Sequence, residues 1–280
     1  MLIVKSIARM QQLSLGLPKP VVLVPTMGSL HEGHLALIDR AKKLAGRKGF
    51  TVATIFVNPA QFGPKEDFQK YPRPFKRDCR LLQNRGCDLV FAPAVENMYE
   101  PDASVTVTES QLQTVMCGVS RPGHFTGVCT IVTKLFLLVQ PDLAIFGEKD
   151  FQQLTILRRM VRDLNFPVGI IGHPTVRESD GLALSSRNVY LSPEERRQAP
   201  LIHQALCEAE KELRRQSVSR SALENFIRRQ IGQAPAARVD YVAVVDPETL
   251  LAKEPSQLPV LLATAVFFGT TRLIDNVLVK

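Results

Sequence analysis

Two imidazoles three residues apart, His31 and His34, lie in the segment Val-Val-Leu-Val-Pro-Thr-Met-Gly-Ser-Leu-His-Glu-Gly-His-Leu-Ala-Leu, residues 21–37. Residues spaced by three share one face of a helix, so this pair could present two hydrogen-bond donors to one ligand. The residues before them indicate what kind of ligand. Val21 to Val24 is a continuous β-branched and aliphatic run, suited to a strand buried on both faces. Pro25 stops the ladder, Gly28 supplies a turn, and Ser29 with Glu32 predicts a capping box that opens a helix. A helix start behind a buried strand presents free backbone N–H groups and a positive dipole end, which together make an anion site. Gly33 removes a side chain where a flat ligand could lie against the backbone. The plainer alternative is two surface histidines spaced by chance. Their place at a cap after a buried strand argues for the anion site.

Two further clusters carry chemistry-bearing groups. Gly147-Glu148-Lys149-Asp150 follows an apolar run, and Asp150 with Gln153 can be read as a second capping box. Lys149, a point charge with three donors at the edge of a sheet, suits a phosphate oxygen. Leu184-Ser185-Ser186-Arg187-Asn188 lies on a polar stretch with Thr175-Val176-Arg177-Glu178 and Asp180-Gly181. Two hydroxyls beside an arginine can clamp a polyphosphate, and the same residues also make an ordinary turn. Tyr71, Arg121 and His124 are open between lining the same cleft and anchoring loops.

These residues need a scaffold that brings strand ends together. A short helix is predicted over Ile7 to Leu15, and strands over Phe50 to Val57 and Asp88 to Ala92. Further strands are expected at Ser104 to Thr108, Leu143 to Phe146 and Val168 to Gly172. Helices are expected over Asp78 to Arg85, Val128 to Val139 and Phe151 to Leu164. Strands alternating with helices of this length predict an α/β fold with a doubly wound parallel sheet. The loop from Ala60 to Arg73 would then sit at a ligand-binding edge. Composition changes after Arg177. Ser192-Pro193-Glu194-Glu195 starts a helix expected to run past Leu213, another spans Ser219 to Ile231, and three strands follow within 239–278. This predicts a larger α/β domain over residues 1–176 and a smaller C-terminal α+β domain over 177–280.

Among 280 residues, 45% are hydrophobic and 22% charged, enough to bury real cores. No apolar run approaches the roughly 20 residues of a membrane span, and no secretory signal is legible at the N-terminus. Five scattered cysteines without a C-x-x-C pair argue against a disulfide framework or zinc ribbon, and for a cytoplasmic setting. The formal charge of +8 is spread without a dense block, and there is no Trp, so we expect no nucleic-acid partner and no membrane partner.

His31-Glu32-Gly33-His34 resembles the His-x-Gly-His signature of the nucleotidyltransferase superfamily. The wider Pro-Thr-Met-Gly-Ser-Leu-His-Glu-Gly-His resembles the pantoate–β-alanine ligase family within it. So do Asn58-Pro59 with Gln61-Phe62, Tyr71-Pro72-Arg73, Arg121-Pro122 with His124-Phe125, Phe146-Gly147-Glu148-Lys149-Asp150, Ser185-Ser186-Arg187-Asn188 and Gly269-Thr270-Thr271-Arg272-Leu273-Ile274-Asp275-Asn276, in the family's order. One departure is Leu184, where the family usually has methionine.

The resemblance implies a Rossmann-like catalytic domain with a C-terminal lid, a homodimer, ATP as a substrate and Mg²⁺ on its phosphates. It implies condensation of pantoate with β-alanine through pantoyl adenylate. The nucleotide site would comprise Pro25, Thr26, Met27, Gly28, Ser29, Leu30, His31, Glu32, Gly33 and His34, then Gly147, Glu148, Lys149, Asp150, Val176, Leu184, Ser185, Ser186 and Arg187. His34, His31, Lys149, Arg187, Ser185 and Ser186 would be catalytic. Gln61, Gln153, Asn58, Tyr71 and Arg121 would contact substrate, with Asp78 as a candidate metal ligand. Rival readings are a nucleotidylyltransferase moving AMP onto a phosphate acceptor, an RNA-binding module and a metabolite sensor without activity. The first would need an extra cationic pocket, the second lacks aromatic stacking residues, and the retained His, Lys, Ser and Arg set argues against the third.

Overall fold

The computed structural model describes residues 1–64 and 66–280; Lys65, in the predicted Ala60–Arg73 loop, lies outside the described residues. Six strands pair in parallel in the order β1-β4-β3-β2-β5-β6: β1 Leu2–Val4, β2 Val21–Val24, β3 Phe50–Thr54, β4 Leu89–Phe91, β5 Leu143–Gly147 and β6 Gly169–His173. The central β2 has all four residues buried, as its unbroken aliphatic run requires. From β2 the chain goes first to β3 on one side and later to β5 on the other. The carboxyl end of β2 therefore faces a crevice at the switch point of the sheet, where ligands of open α/β folds bind.

The helices are α1 Ile7–Ser14, α2 Glu32–Ala45, α3 Phe75–Asn84, α4 Val95–Met98, α5 Cys117–Ser120, α6 His124–Val139, α7 Phe151–Asp163, α8 Pro193–Gln198, α9 Leu201–Arg215 and α10 Arg220–Ile231. Strands β7 Ala237–Val245, β8 Val260–Phe268 and β9 Thr271–Val279 form a separate antiparallel sheet in the order β7-β8-β9. One face of this sheet packs with α9 and α10 around Leu206, Ile227, Leu262 and Phe268. Its other face supplies Val245, Leu261 and Ala263 to the core that contains β2 and α6.

Several boundaries differ from those expected. Strand β1 is not among the expected strands: it is three residues long at the sheet edge, with Leu2 and Ile3 exposed, so it carries no period. Residues 104–108 alternate like a strand but, among the described residues, join no ladder; Val107 bonds the Thr130 hydroxyl instead. Helix α6 begins at His124, four residues earlier than predicted. The helix opened by Ser192 does use the Ser192/Glu195 capping box, yet it ends at Gln198, and α9 restarts after Pro200.

Candidate active site

The loop from β2 into α2 is built by hydrogen bonds from distant strands and helices. The Thr26 hydroxyl donates to the Thr54 carbonyl (2.6 Å) and accepts from the Gly28 N–H (3.1 Å). Gly28 (φ +80°) and Ser29 (φ +52°) then turn in the left-handed region, which suits glycine and costs serine. The Ser29 and Leu30 N–H groups donate to the two oxygens of the buried Asp78, at 2.7 and 3.0 Å. This corrects two expectations. Asp78 does not line the cavity as a metal ligand, because its carboxylate is turned into the loop backbone. Ser29 does not cap the helix: α2 starts at Glu32, and the N-cap is His31.

His31 and His34 form the capping box themselves. The His31 Nδ1 accepts from the Gly33 N–H (3.1 Å), and the His34 Nδ1 accepts from the His31 N–H (3.4 Å). With each Nδ1 accepting, the proton of each neutral ring sits on Nε2, leaving an Nε2–H donor free on both rings. Burial, helped by Lys149, brings the His31 pKa down to about 4. Burial, the neighbouring His31 ring and Lys149 bring His34 to about 3. Both rings are thus neutral donors at physiological pH. Their centroids lie 4.1 Å apart. A Cβ on Gly33 would sit 2.9 Å from the His31 ring, so the glycine admits the imidazole that folds back to cap the helix.

A cavity of about 240 Å³ opens beside these rings. Pro25, Thr26, Met27, Gly33 and both histidines line it from the β2–α2 segment, and Asn58, Gln61 and Tyr71 from the segment after β3. Gly147, Lys149, Asp150 and Gln153 come from the end of β5 and the start of α7, and Val176, Leu184, Ser185, Ser186 and Arg187 from the chain after β6. Arg121 and His124 complete the wall beside α6. Of the expected nucleotide residues, Gly28, Ser29, Leu30, Glu32 and Glu148 do not line it. The first three are loop framework, and Glu32 is largely exposed, paired with Arg85 at 2.8 Å. The Glu148 carbonyl accepts from Asn276. The expected Asp150/Gln153 capping box is also corrected: Asp150 makes no side-chain cap bond, which leaves Gln153 to the cavity.

The cationic groups are less free than their sequence suggests. Arg187 holds both Asp67 oxygens, through Nε at 3.1 Å and a terminal nitrogen at 2.8 Å. Tyr71 Oη lies 3.2 Å from Ser186 Oγ, and the Ser185 hydroxyl accepts from the Arg187 N–H at 3.3 Å. Arg177, flanking this stretch, is tied to the buried Asp275 at 2.6 and 2.9 Å. Sequence reasoning gave Glu66 and Asp67 no role; the available signal was an acidic pair within the predicted ligand-edge loop, and the structure pairs them with Arg121 and Arg187. Among the described residues, no group of three or more His, Cys, Asp or Glu is placed to cage a metal ion.

The end of β2, its loop and the start of α2 thus meet Gln61 and Gln153 at one cavity at the switch point of the sheet. The family model for pantoate-beta-alanine ligase matches residues 2–278. The chain belongs to the pantoate–β-alanine ligase family. It is 50% identical over 275 residues to the pantothenate synthetase of Thermoanaerobacter sp. (strain X514), covering 98% of this chain and 95% of that one. Its fold matches the crystal structure of pantothenate synthetase from Thermus thermophilus with a TM-score of 0.92 at 49% identity, covering 99% of both chains. It also matches the pantoate-beta-alanine ligase of Francisella tularensis, solved with beta-gamma ATP and beta-alanine, at a TM-score of 0.80 and 31% identity, covering 99% of this chain and 97% of that one. The ligase fold therefore accounts for both the parallel sheet and the small antiparallel sheet. None of the helices is long and apolar enough to cross a membrane, among the described residues.

Proposed function

We propose that this chain condenses pantoate with β-alanine at the expense of ATP, releasing AMP and pyrophosphate. The observation that carries the reading is the convergence of His31, His34 and Lys149 on one cavity with the amides of Gln61 and Gln153. In the first half-reaction a pantoate carboxylate oxygen bonds to the α-phosphorus of ATP while the bond to the bridging oxygen breaks, and pyrophosphate leaves. In the second, the β-alanine amine bonds to the activated acyl carbon, loses a proton and displaces AMP.

The first step brings two anions together, so the residues must offset charge and hold the reactants in line. The Nε2–H groups of His34 and His31 are assigned to phosphate oxygens, where they stabilise charge as it builds. Being neutral, they donate without adding a proton that could be lost to the phosphates. Lys149, Ser185, Ser186 and Arg187 are assigned to the triphosphate and departing pyrophosphate. Gln61 and Gln153 suit a hydroxyl-rich acid because an amide both donates and accepts; Asn58 and Tyr71 adjoin them. Mg²⁺ would need few protein ligands here: Asp150, a carboxylate in the cavity wall, would help to hold it, and it would supply charge neutralisation on the triphosphate. No step is assigned to it.

The reading extends to a catalytic domain over residues 1–176, a lid over 177–280, a homodimer and a cytoplasmic location, supported by the family membership. Sedimentation of the purified chain tests the dimer. ATP–pyrophosphate exchange, measured with pantoate present and β-alanine absent, tests the chemistry. Exchange that requires pantoate supports the adenylate step. Exchange that ignores pantoate, or fails despite ATP binding, sinks it.

A further inference from the structure

Arg121 was expected to touch substrate, but its guanidinium is engaged almost entirely by protein atoms. Nε donates to Glu66 Oε1 at 2.7 Å, and one terminal nitrogen donates both to Glu66 Oε2 at 2.6 Å and to the Gln61 carbonyl at 3.2 Å. The other terminal nitrogen lies 2.9 Å from His124 Nε2. Four of the five N–H bonds of an arginine are thereby used. Because an arginine only donates, His124 Nε2 must accept, and the ring proton must sit on Nδ1. That Nδ1–H points at the Gln61 carbonyl, 2.8 Å away. Burial, with Arg121 adding to it, brings the His124 pKa down to about 4, which keeps the ring in this neutral form.

The Gln61 carbonyl thus receives two donors, and the rest of the residue is held as well. Its backbone nitrogen packs so closely on Gly127 that a Cβ there would lie 2.7 Å away. Its side-chain oxygen accepts from Asn58 Nδ2 at 3.2 Å. Asn58 is itself fixed by the Tyr99 hydroxyl (2.8 Å) and the Gly127 carbonyl (3.0 Å). Among the described residues, the amide nitrogen of Gln61 meets only the Met27 thioether, at 3.0 Å. A thioether is a weak acceptor, so a ligand oxygen can replace it at little cost.

We propose that Glu66, Arg121 and His124 are positioning residues that hold the Gln61 carbonyl and thereby aim its amide N–H at the acid substrate. This rests on the reading of Gln61 as a pantoate-binding amide, and it removes Arg121 from the substrate contacts. A lysine at position 121 keeps the charge but cannot span Glu66, His124 and the carbonyl together.

The test is pantoate-dependent ATP–pyrophosphate exchange, run first on the unaltered protein. Exchange without a need for pantoate would overturn the functional reading itself, before any variant is made. With that dependence established, Arg121→Lys is expected to raise the KM for pantoate about tenfold and leave the KM for ATP within about twofold. His124→Asn, which keeps an amide N–H near the Nδ1 position, should retain more pantoate affinity than His124→Leu. In a Gln61→Ala background, Arg121→Lys should add no further loss, because the arginine acts through the missing side chain. An equal further loss in that background would mean direct contact and overturn the proposal. So would a parallel rise in both KM values, or no change in either.

Discussion

Gly127 lies in the first turns of α6, where replacing glycine with alanine ordinarily stabilises a helix by about 1 kcal/mol. The structure predicts the opposite sign. A Cβ at this position would lie 2.3 Å from the Ala60 carbonyl oxygen, 2.5 Å from its carbon and 2.7 Å from the Gln61 nitrogen. All three are backbone atoms, so no rotamer change relieves the clash, and helix and turn must part by roughly 1 Å to restore normal contact. Overpacking of this kind costs about 1–3 kcal/mol, and here the separation also strains the Asn58 bond to the Gly127 carbonyl. Gly127→Ala is therefore expected to lose about 2 kcal/mol net and to melt about 5 °C lower. The same shift moves Gln61, and a displacement near 1 Å in a substrate-binding group can cost about a hundredfold in rate. Thermal unfolding and the exchange assay read both effects. A variant with unchanged melting and unchanged pantoate dependence would refute the claim that this glycine is required by the close approach of α6 to the 58–61 turn.

His34→Ala removes one of two neutral Nε2–H donors together with the capping bond to the His31 N–H, and is expected to slow pantoate-dependent exchange more than about a hundredfold; near-normal turnover would sink the assigned role. His31, His34 and His124 all have folded pKa values near or below about 4, depressed from 6.5. The unfolded chain binds protons at these rings as pH falls below 6.5 while the folded chain refuses them, so stability should be full above pH 6.5 and decline through about pH 4 towards about pH 3. Urea midpoints at pH 7, 6 and 5 check this, and a flat profile would refute it.

How far the sequence foretold this depended on whether the deciding interaction was local. The β2 run was legible because a strand buried on both faces writes its burial directly into consecutive residues. The Ser192 cap was legible because a capping box closes within three residues. The Ser29/Glu32 box obeyed the same local rule and was wrong, because Asp78, 49 residues away, claims the Ser29 N–H and leaves the cap to His31. The site residues around His31 and His34 were found, yet their neutral state was not, since it follows from burial and from Nδ1 bonds that only the folded helix start creates. The pairing of the Arg187 clamp, and the choice between cleft and loop anchor at Arg121, are not legible because their partners stand on another loop; Arg187 and Asp67 are 120 residues apart in sequence.

The pairing of Arg187 with Asp67 has a consequence for nucleotide binding. Arg187 and Asp67 are each about a quarter exposed, at 27% and 23%, and share two hydrogen bonds. A triphosphate that recruits the Nε edge of Arg187 must displace Asp67, whereas Lys149, among the described residues, has no carboxylate within ion-pair distance and is open to phosphate. Removing the Asp67 charge should therefore strengthen ATP binding. A partly exposed pair of this kind is worth about 1 kcal/mol, so Asp67→Asn is expected to tighten the Kd for ATP about fivefold. The gain should shrink with added salt, as screened charge interactions do. Calorimetric titration with a non-hydrolysable ATP analogue, at two salt concentrations, measures both. Weaker binding in Asp67→Asn would show that Asp67 orients Arg187 towards the phosphates through its other edge, and would refute competition as the role of this pair.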